Sequence, residues 1–451
     1  MRICQISLSD TGGGAETIAA GLHRCYRSAG HDAWMIVGSR RGSDDTVFRL
    51  DSDRLRGPWS RRWCRLADRL RRARRQTALV NHLRRGATAI GRPVKCARRI
   101  LGFEDFDHPA TAGLLEVTPR SPDVLHAHTL HGDYFDLRRL AALSRRTPTV
   151  VTMHDMWLLT GLCHHALDCE RWKTGCGACP YLHLVPWVRV DRTAANWQAK
   201  KSIYAGCRLH VAAPSRWLLE KIGDSILAPA VVQSRHIPNG VDLETFVPGE
   251  QISARDEVGV DRGAIVLLYV GRSIRSHPFK DFRTVREAAA RVSRRFPARR
   301  VELVIVGETG RTERAGGASV RFVGDQSSRS LARYYRAADV YLHAARAETF
   351  GIVIAEALAC GTPVVATDLC GIPEVVTDGT TGFLVAPEDG EAMASRVAEI
   401  VGNAQLRRTL AGNAVADARR RFDIAAQANA YLEWYREIIA RRGGDRMPSS
   451  G

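Results

Sequence analysis

The stretch Val340-Tyr-Leu-His-Ala-Ala-Arg-Ala-Glu-Thr-Phe-Gly-Ile-Val-Ile-Ala-Glu-Ala-Leu-Ala-Cys-Gly-Thr-Pro-Val-Val-Ala366 decides how the chain folds. Val340–His343 is a short apolar run and Pro363–Ala366 is another. Between them lie a loop, a helical stretch and the turn Gly361-Thr-Pro363, the strand–helix–strand pattern of a parallel sheet. The pattern recurs. Strands are expected at Ile265–Val270, Val301–Val306 and Val320–Phe322 in the same half. In the first half they are expected at Arg2–Leu8, Ala33–Val37, Asp123–Ala127, Thr149–Met153 and His210–Ala213. The Pro- and Gly-bearing segment Ile237–Gly249 reads as a hinge between the halves. After Glu388 the pattern is helical to about Arg442, and the polar tail beyond it reads as disordered.

Two such halves make an α/β enzyme with a cleft, and ligands of parallel sheets bind beyond the carboxyl ends of the strands. Four loops there carry chemistry-bearing residues. Asp10–Glu16 holds Gly12, Gly13 and Gly14 between a strand and a helix start, which suits an anion. His154-Asp155 follows the strand Thr149–Met153. In Gly271–Asp281, Arg272 and Lys280 flank a helix start, a diphosphate clamp. In the opening stretch, Glu348 precedes a helix and Glu356 lies within it, surrounded by Ile, Val, Ala and Leu. A carboxylate there needs a partner, because an unpaired buried charge is costly. A sugar diol would supply two donors to one carboxylate. The backbone N–H groups of Phe350, Gly351 and Ile352, at the start of that helix, suit phosphate.

This stretch, with Gly361-Thr-Pro-Val-Val-Ala-Thr367, Gly371-Ile-Pro-Glu-Val-Val376, Pro238-Asn-Gly-Val-Asp242, Gly271-Arg272…Lys280 and Phe322-Val-Gly324, resembles the family-four retaining glycosyltransferases. The likeness covers nearly the whole chain. It is greatest to bacterial exopolysaccharide and colanic-acid-type transferases, on His154-Asp-Met-Trp157, Gly161-x-Cys163 and the later cysteines. The resemblance implies the GT-B fold: two Rossmann-like parallel-sheet domains facing a cleft, with C-terminal helices crossing back to the first. Residues 1–240 would form the acceptor-side domain, with a basic insertion at 52–105 and a cysteine loop at 161–182. Residues 241–421 would bind the nucleotide-sugar, and helix 422–442 would pack back on the first domain.

By the same resemblance, Glu356 would bind the ribose and Glu348 the donor sugar. Arg272 and Lys280 would neutralise the leaving diphosphate, and the backbone at Phe350–Ile352 would contact phosphate or sugar. Val323 would lie near the base, Gly13 and Gly14 would border the diphosphate and acceptor, and His154 would face the reacting sugar. Catalysis would need no metal or other cofactor. The acceptor would be a polyprenyl-diphosphate-linked saccharide. The alternatives are a soluble acceptor, such as a sugar phosphate or small thiol precursor, and a non-catalytic nucleotide-sugar-binding or polyanion-binding module.

Two features remain. Cys163, Cys169, Cys176 and Cys179 have spacing that can close a structural zinc site; reduced or redox-active thiols, an iron–sulfur cluster and disulfides are the alternatives. The Asp-x-Asp pairs at 51–53 and 105–107 lie at the margins of the basic segment and are not read as metal sites. The net charge is +18. Ser52–Ile100 holds sixteen Lys/Arg against two Asp, which is +14 of that excess. The chain is therefore near neutral outside one segment, which argues against a nucleic-acid wrapper. Leu55, Trp59, Trp63, Leu66, Leu70, Ala73, Val80 and Leu83 give the segment an amphipathic helical pattern with Arg between, suited to an anionic membrane surface. No run reaches 18 apolar residues, and the N-terminus carries no apolar signal core. The expected location is the cytoplasm, peripheral on the inner face of the cytoplasmic membrane.

Overall fold

The computed structural model describes residues 1–71, 77–184 and 188–444. The chain divides into two compact units. The first comprises Met1–Ala213, Leu219–Arg235 and the chain from Leu432 on; the second comprises Pro214–Leu218 and His236–Tyr431. The crossing after Arg235 precedes the expected hinge. The tail beyond Gly444, expected to be disordered, lies outside the described residues.

The first unit is built on β1 (Arg2–Ser9), β2 (Asp32–Ser39), β3 (Val47–Arg49), β4 (Val124–Ala127), β5 (Thr149–Thr152), β6 (Leu209–Ala213) and β7 (Val231–His236). They lie in the order β3-β2-β1-β4-β5-β6-β7, with β1 to β6 parallel. The second unit holds β8 (Ile265–Val270), β9 (Val301–Val306), β10 (Glu313–Ala315), β11 (Ala318–Gly324), β12 (Val340–His343), β13 (Val364–Thr367) and β14 (Gly382–Val385). Their order is β10-β11-β9-β8-β12-β13-β14; β10 is antiparallel to β11 and the rest are parallel. Each sheet reverses direction once, between β1 and β4 and between β8 and β12. Doubly wound sheets bind ligands beside such a reversal.

Strand β8 shows why these strands read as unbroken apolar runs. Ile265, Leu267 and Tyr269 enter one core with the helices Phe282–Arg295 and Gly390–Gly402. Val266, Leu268 and Val270 enter a second core with Ser328–Ala337 and Ile352–Ala359. Both faces are covered, so no polar alternation is needed.

The basic segment, between β3 and β4, is not one continuous helix. It forms Pro58–Arg71, Ala78–Gly91 and Pro93–Ile100. Pro58 opens the first helix, because its fixed φ suits the first helical position. The first two helices meet closely: a Cβ on Gly91 would fall 2.8 Å from Trp63 Cβ. Ala73 lies outside the described residues.

The last helix, Ile424–Gly444, belongs to the first unit from Leu432 on. There Trp434 Nε1 donates to Gln233 Oε1 at 2.9 Å. Tyr435 Oη lies 2.6 Å from His126 Nδ1 and 3.0 Å from Tyr26 Oη.

Candidate active site

The loops after β8 and β12 carry Lys280 and Glu348 to the reversal point of the second sheet. Lys280 and Ala345 form an isolated antiparallel bridge there. The Lys280 side chain lies against the backbone of Gly271: a Cβ at that position would fall 2.0 Å from Nζ. Burial pulls the ammonium below its ordinary pKa, and the charges of Glu348 and Glu308 oppose that shift. Glu348 is shifted the other way: burial raises its pKa, against Lys280 and the backbone N–H groups of Phe350, Gly351 and Thr349. The site therefore sets a cationic and an anionic group side by side, both half-buried, where each one's charge offsets part of the other's desolvation.

The N–H groups expected to meet phosphate are thus partly turned on Glu348. The Phe350 amide stands 3.4 Å from Glu348 Oε1, and the Phe350 ring is buried against Phe422. Gly351 is the N-cap of the helix Ile352–Ala359 at φ +85°, a left-handed conformation that a side chain there would strain. His343, at the end of β12, is buried with Nε2 3.8 Å from Glu348 Oε2. Burial and the Lys280 charge lower its pKa to about 3, so it is neutral.

Glu356 is buried inside that helix. Its Oε2 accepts a hydrogen bond from Tyr335 Oη at 3.0 Å, and the same hydroxyl reaches the Val353 carbonyl. Burial raises the Glu356 pKa to about 7 despite the bond. Arg272 differs from Lys280. It is half exposed, and its Nε donates to Asp325 Oδ1 at 2.9 Å. Val323 is the extra residue at a register shift of β11, where Phe322 pairs with Ile305 and Gly324 with Val306. Gln326 Nε2 donates to its carbonyl at 3.4 Å.

The reversal point of the first sheet is chemically unlike this. Gly13 is the N-cap of the helix Gly14–Ser28. The anion at that helix start is the protein's own: Glu16 Oε2 stands 2.6 Å from where a Gly13 Cβ would lie, and the residue is buried. Beyond β4 and β5 are His128 and His154, with Nδ1 of the first 3.2 Å from Nε2 of the second. Gln5 fixes which nitrogen carries each proton. Its Nε2 donates to the Ala19 carbonyl, which can only accept, and the same Nε2 lies 3.1 Å from His128 Nε2. His128 Nε2 is therefore the acceptor, His128 Nδ1–H donates, and His154 Nε2 accepts. This leaves the His154 proton on Nδ1. Burial lowers the His154 pKa to about 4 and that of His126 to about 3, so both rings are neutral at physiological pH.

Comparison with known proteins settles the family. Residues 12–245 match the model described as Glycosyltransferase Family 4, and 264–403 match Glycosyl transferases group 1. The chain belongs to glycosyltransferase family 4. The transferase is 32% identical over 331 residues to the D-inositol 3-phosphate glycosyltransferase of Actinosynnema mirum, covering 68% of this chain and 72% of that one. It is 39% identical over 212 residues to the enzyme of that name from Kribbella flavida, covering 44% and 49%. Neither relative is named for exopolysaccharide synthesis, the finer likeness drawn from the cysteine-bearing stretch. In fold the transferase resembles sucrose-phosphate synthase from Thermosynechococcus elongatus, with TM-score 0.65, 20% identity and 98% and 99% of the two chains covered. It also resembles Anabaena HepE, solved in complex with UDP-glucose, with TM-score 0.63, 20% identity and coverage of 97% and 100%.

The four cysteines of the loop, Cys163, Cys169, Cys176 and Cys179, are gathered on one cavity of the transferase, and the Gly161 amide donates to Cys176 Sγ at 3.3 Å. Yet among the described residues no three of their sulfurs lie within 4.8 Å of one another. Burial raises the thiol pKa of Cys163 to about 12 and of Cys176 to about 11. Two other groups meet that spacing: His131, Asp155 and His164, and Asp105, His108 and Asp133. Arg92 and Lys95 already supply positive charge to Asp105, at 3.1 and 3.9 Å. Asp155 Oδ2 is bonded by His131 at 2.8 Å and His164 at 2.9 Å.

Several of these residues escape sequence reasoning. Tyr335 and Asp325 partner Glu356 and Arg272 from positions with no motif. Gln5, His126 and His128 lie in or just after strands, where their polar side chains interrupt apolar runs; that interruption was the available signal. No helix among the described residues is long and apolar enough to cross a membrane.

Proposed function

We propose that the transferase moves a sugar from a nucleoside diphosphate donor to an acceptor hydroxyl with retention at the anomeric carbon. The observation that carries this reading is that half-buried Lys280 and Glu348 feel each other's charge at the β8/β12 reversal, with Glu356 in the helix that follows. As the C1–O bond breaks, negative charge grows on the β-phosphate. Lys280 stabilises it, and one such contact is worth roughly 10²–10³ in rate. Arg272 adds a more screened charge from the exposed side, and the reaction needs no metal. The acceptor oxygen bonds to C1 on the face the diphosphate leaves, and its proton passes to a β-phosphate oxygen. Glu356 accepts the ribose diol, Glu348 holds donor-sugar hydroxyls, and the Val323 backbone borders the base. The strand ends of the first unit receive the acceptor. His154 stands on that acceptor side as a neutral ring, and Glu16 makes the Gly13–Gly14 turn better suited to a hydroxyl than to a phosphate.

The relatives named for D-inositol 3-phosphate support a small phosphorylated polyol as acceptor. A second reading is a polyprenyl-diphosphate-linked saccharide of a bacterial polysaccharide pathway, met at the cytoplasmic face of the membrane. It is favoured by the exposed apolar residues of the basic segment. The test is release of nucleoside diphosphate from a panel of nucleotide-sugars, with D-inositol 3-phosphate, with a polyprenyl-diphosphate-linked saccharide, and with neither. Stimulation by D-inositol 3-phosphate supports the first reading. Release only with lipid-linked saccharide supports the second. No release from any donor overturns both.

A further inference from the structure

We infer that the helices Pro58–Arg71 and Ala78–Gly91 form a surface that binds an anionic lipid bilayer. Eleven large hydrophobic side chains are exposed among the described residues, and nine of them lie between Leu55 and Leu101. They are not scattered. At 100° per residue, Leu79, Leu83 and Ile90 fall within about 40° of one another on the second helix. Leu79 is 68% exposed and Leu83 53%. On the first helix, Trp59 and Leu66 are seven residues apart, about 20° around the axis. Trp59 Nε1 donates to the Ile90 carbonyl at 3.1 Å, which joins the two stripes at one end.

Apart from the Trp59 indole, which bonds the Ile90 carbonyl and meets the Trp63 ring, these side chains are not what joins the helix pair. Its seam is made by Trp63, Cys64, Ala87 and Gly91, the last three buried. The stripes are a second apolar face turned to solvent, larger than folding requires.

The charge around them selects the occupant. Arg62, Arg65, Arg69 and Arg85 are exposed, and none has a carboxylate partner among the described residues. The only acids of Ser52–Ile100, Asp53 and Asp68, are already paired with Arg56 and Arg49. Exposed Trp and Leu beside unpaired Arg suit an anionic membrane interface, where rings and chains enter the headgroup boundary and guanidinium groups meet phosphate. A nucleic acid would leave the leucine stripe in water. A second copy would set arginine against arginine, because a twofold contact pairs the same patch with itself.

The surface is independent of which acceptor the transferase uses. The test is flotation of the full chain with phosphatidylcholine vesicles, with and without phosphatidylglycerol. The wild type should float only with the anionic vesicles. Arg62→Gln/Arg65→Gln/Arg69→Gln and Leu79→Ser/Leu83→Ser should each weaken partitioning at least about tenfold. Circular dichroism and nucleoside diphosphate release should stay unchanged. Failure of the wild type to float with anionic vesicles, equal flotation with both lipids, or unchanged binding by the Leu79→Ser/Leu83→Ser variant overturns the inference. So does a wild-type dimer in sedimentation that this variant dissolves, which would assign the face to a second copy.

Discussion

Beyond β8 and β12 of the second sheet the chain sets a lysine and a glutamate, both shifted towards neutrality by burial yet each supported by the other's charge. In β4 and beyond β5 of the first sheet it sets histidines that burial keeps neutral, with His128 between them bonded to Gln5 of β1. The strand order around the two reversal points is the same. The frame therefore does not decide the chemistry; the loop residues do. A diphosphate leaving group calls for fixed charge, whereas an acceptor hydroxyl calls for oriented neutral donors and acceptors.

The contrast breaks most directly at Lys280. Lys280→Ala should lower turnover about 10²-fold without unfolding the chain. Gly271→Ala should do nearly the same, because the new methyl occupies the place of the ammonium. Turnover within threefold of wild type in both variants, by nucleoside diphosphate release, would remove the charged half of the comparison.

Glu356 tests whether a charge is kept for a ligand. Donor binding should weaken as pH falls through about 7, because a protonated carboxyl can no longer accept both diol hydrogens. Glu356→Gln should bind nucleoside diphosphate about tenfold more weakly at pH 8, the scale of one charged hydrogen bond, with no pH dependence from this group. Stability should move the opposite way. The folded pKa of about 7 lies above the ordinary 4.5, so the folded state holds the proton more tightly. Ionising the group costs on the order of 3 kcal/mol above pH 7, and the cost fades as pH falls towards 4.5. Glu356→Gln should therefore melt higher than wild type at pH 8 and not at pH 4.5. Calorimetry at the two values checks the sign.

Arg272 sharpens the comparison from within the second sheet. It is half exposed and held by Asp325, so its field is screened. Arg272→Ala should cost about tenfold or less in turnover, clearly less than Lys280→Ala. The smallest effect belongs to the neutral network. Tyr435→Phe removes one hydroxyl from the chain linking Tyr26 and His126, and should lower stability by about 1 kcal/mol in urea denaturation.

Ten of the fourteen strands were legible as apolar runs, and the four that were not are β3, β7, β10 and β14. These are the two edges of each sheet. The burial of β7 alternates without any fully buried residue, and β10 is only three residues long. Strands β7 and β10 thus lack the run that marks a strand covered on both faces, whereas β14 is largely buried but opens on Gly382 and holds only three apolar residues. In the site, Glu348, Glu356, Arg272 and Lys280 stood out as charges in apolar or glycine-rich settings. Spacing could not show that Arg272 and Lys280 differ, since exposure depends on Asp325 and on the open side of Gly271. Nor could it show that the four cysteines, close in sequence, line one cavity with Trp172 and Tyr181.

The last helix has a practical consequence for anyone dividing the protein. A fragment stopping at Arg235 would lose Trp434 and Tyr435, leaving Gln233 and His126 facing a hole where an aromatic wedge belongs. No single cut separates the two units, because the thread that leaves the first returns to finish it. A cut or a rigid fusion near Leu432 would strike the first unit, although nearly two hundred residues of the second precede it.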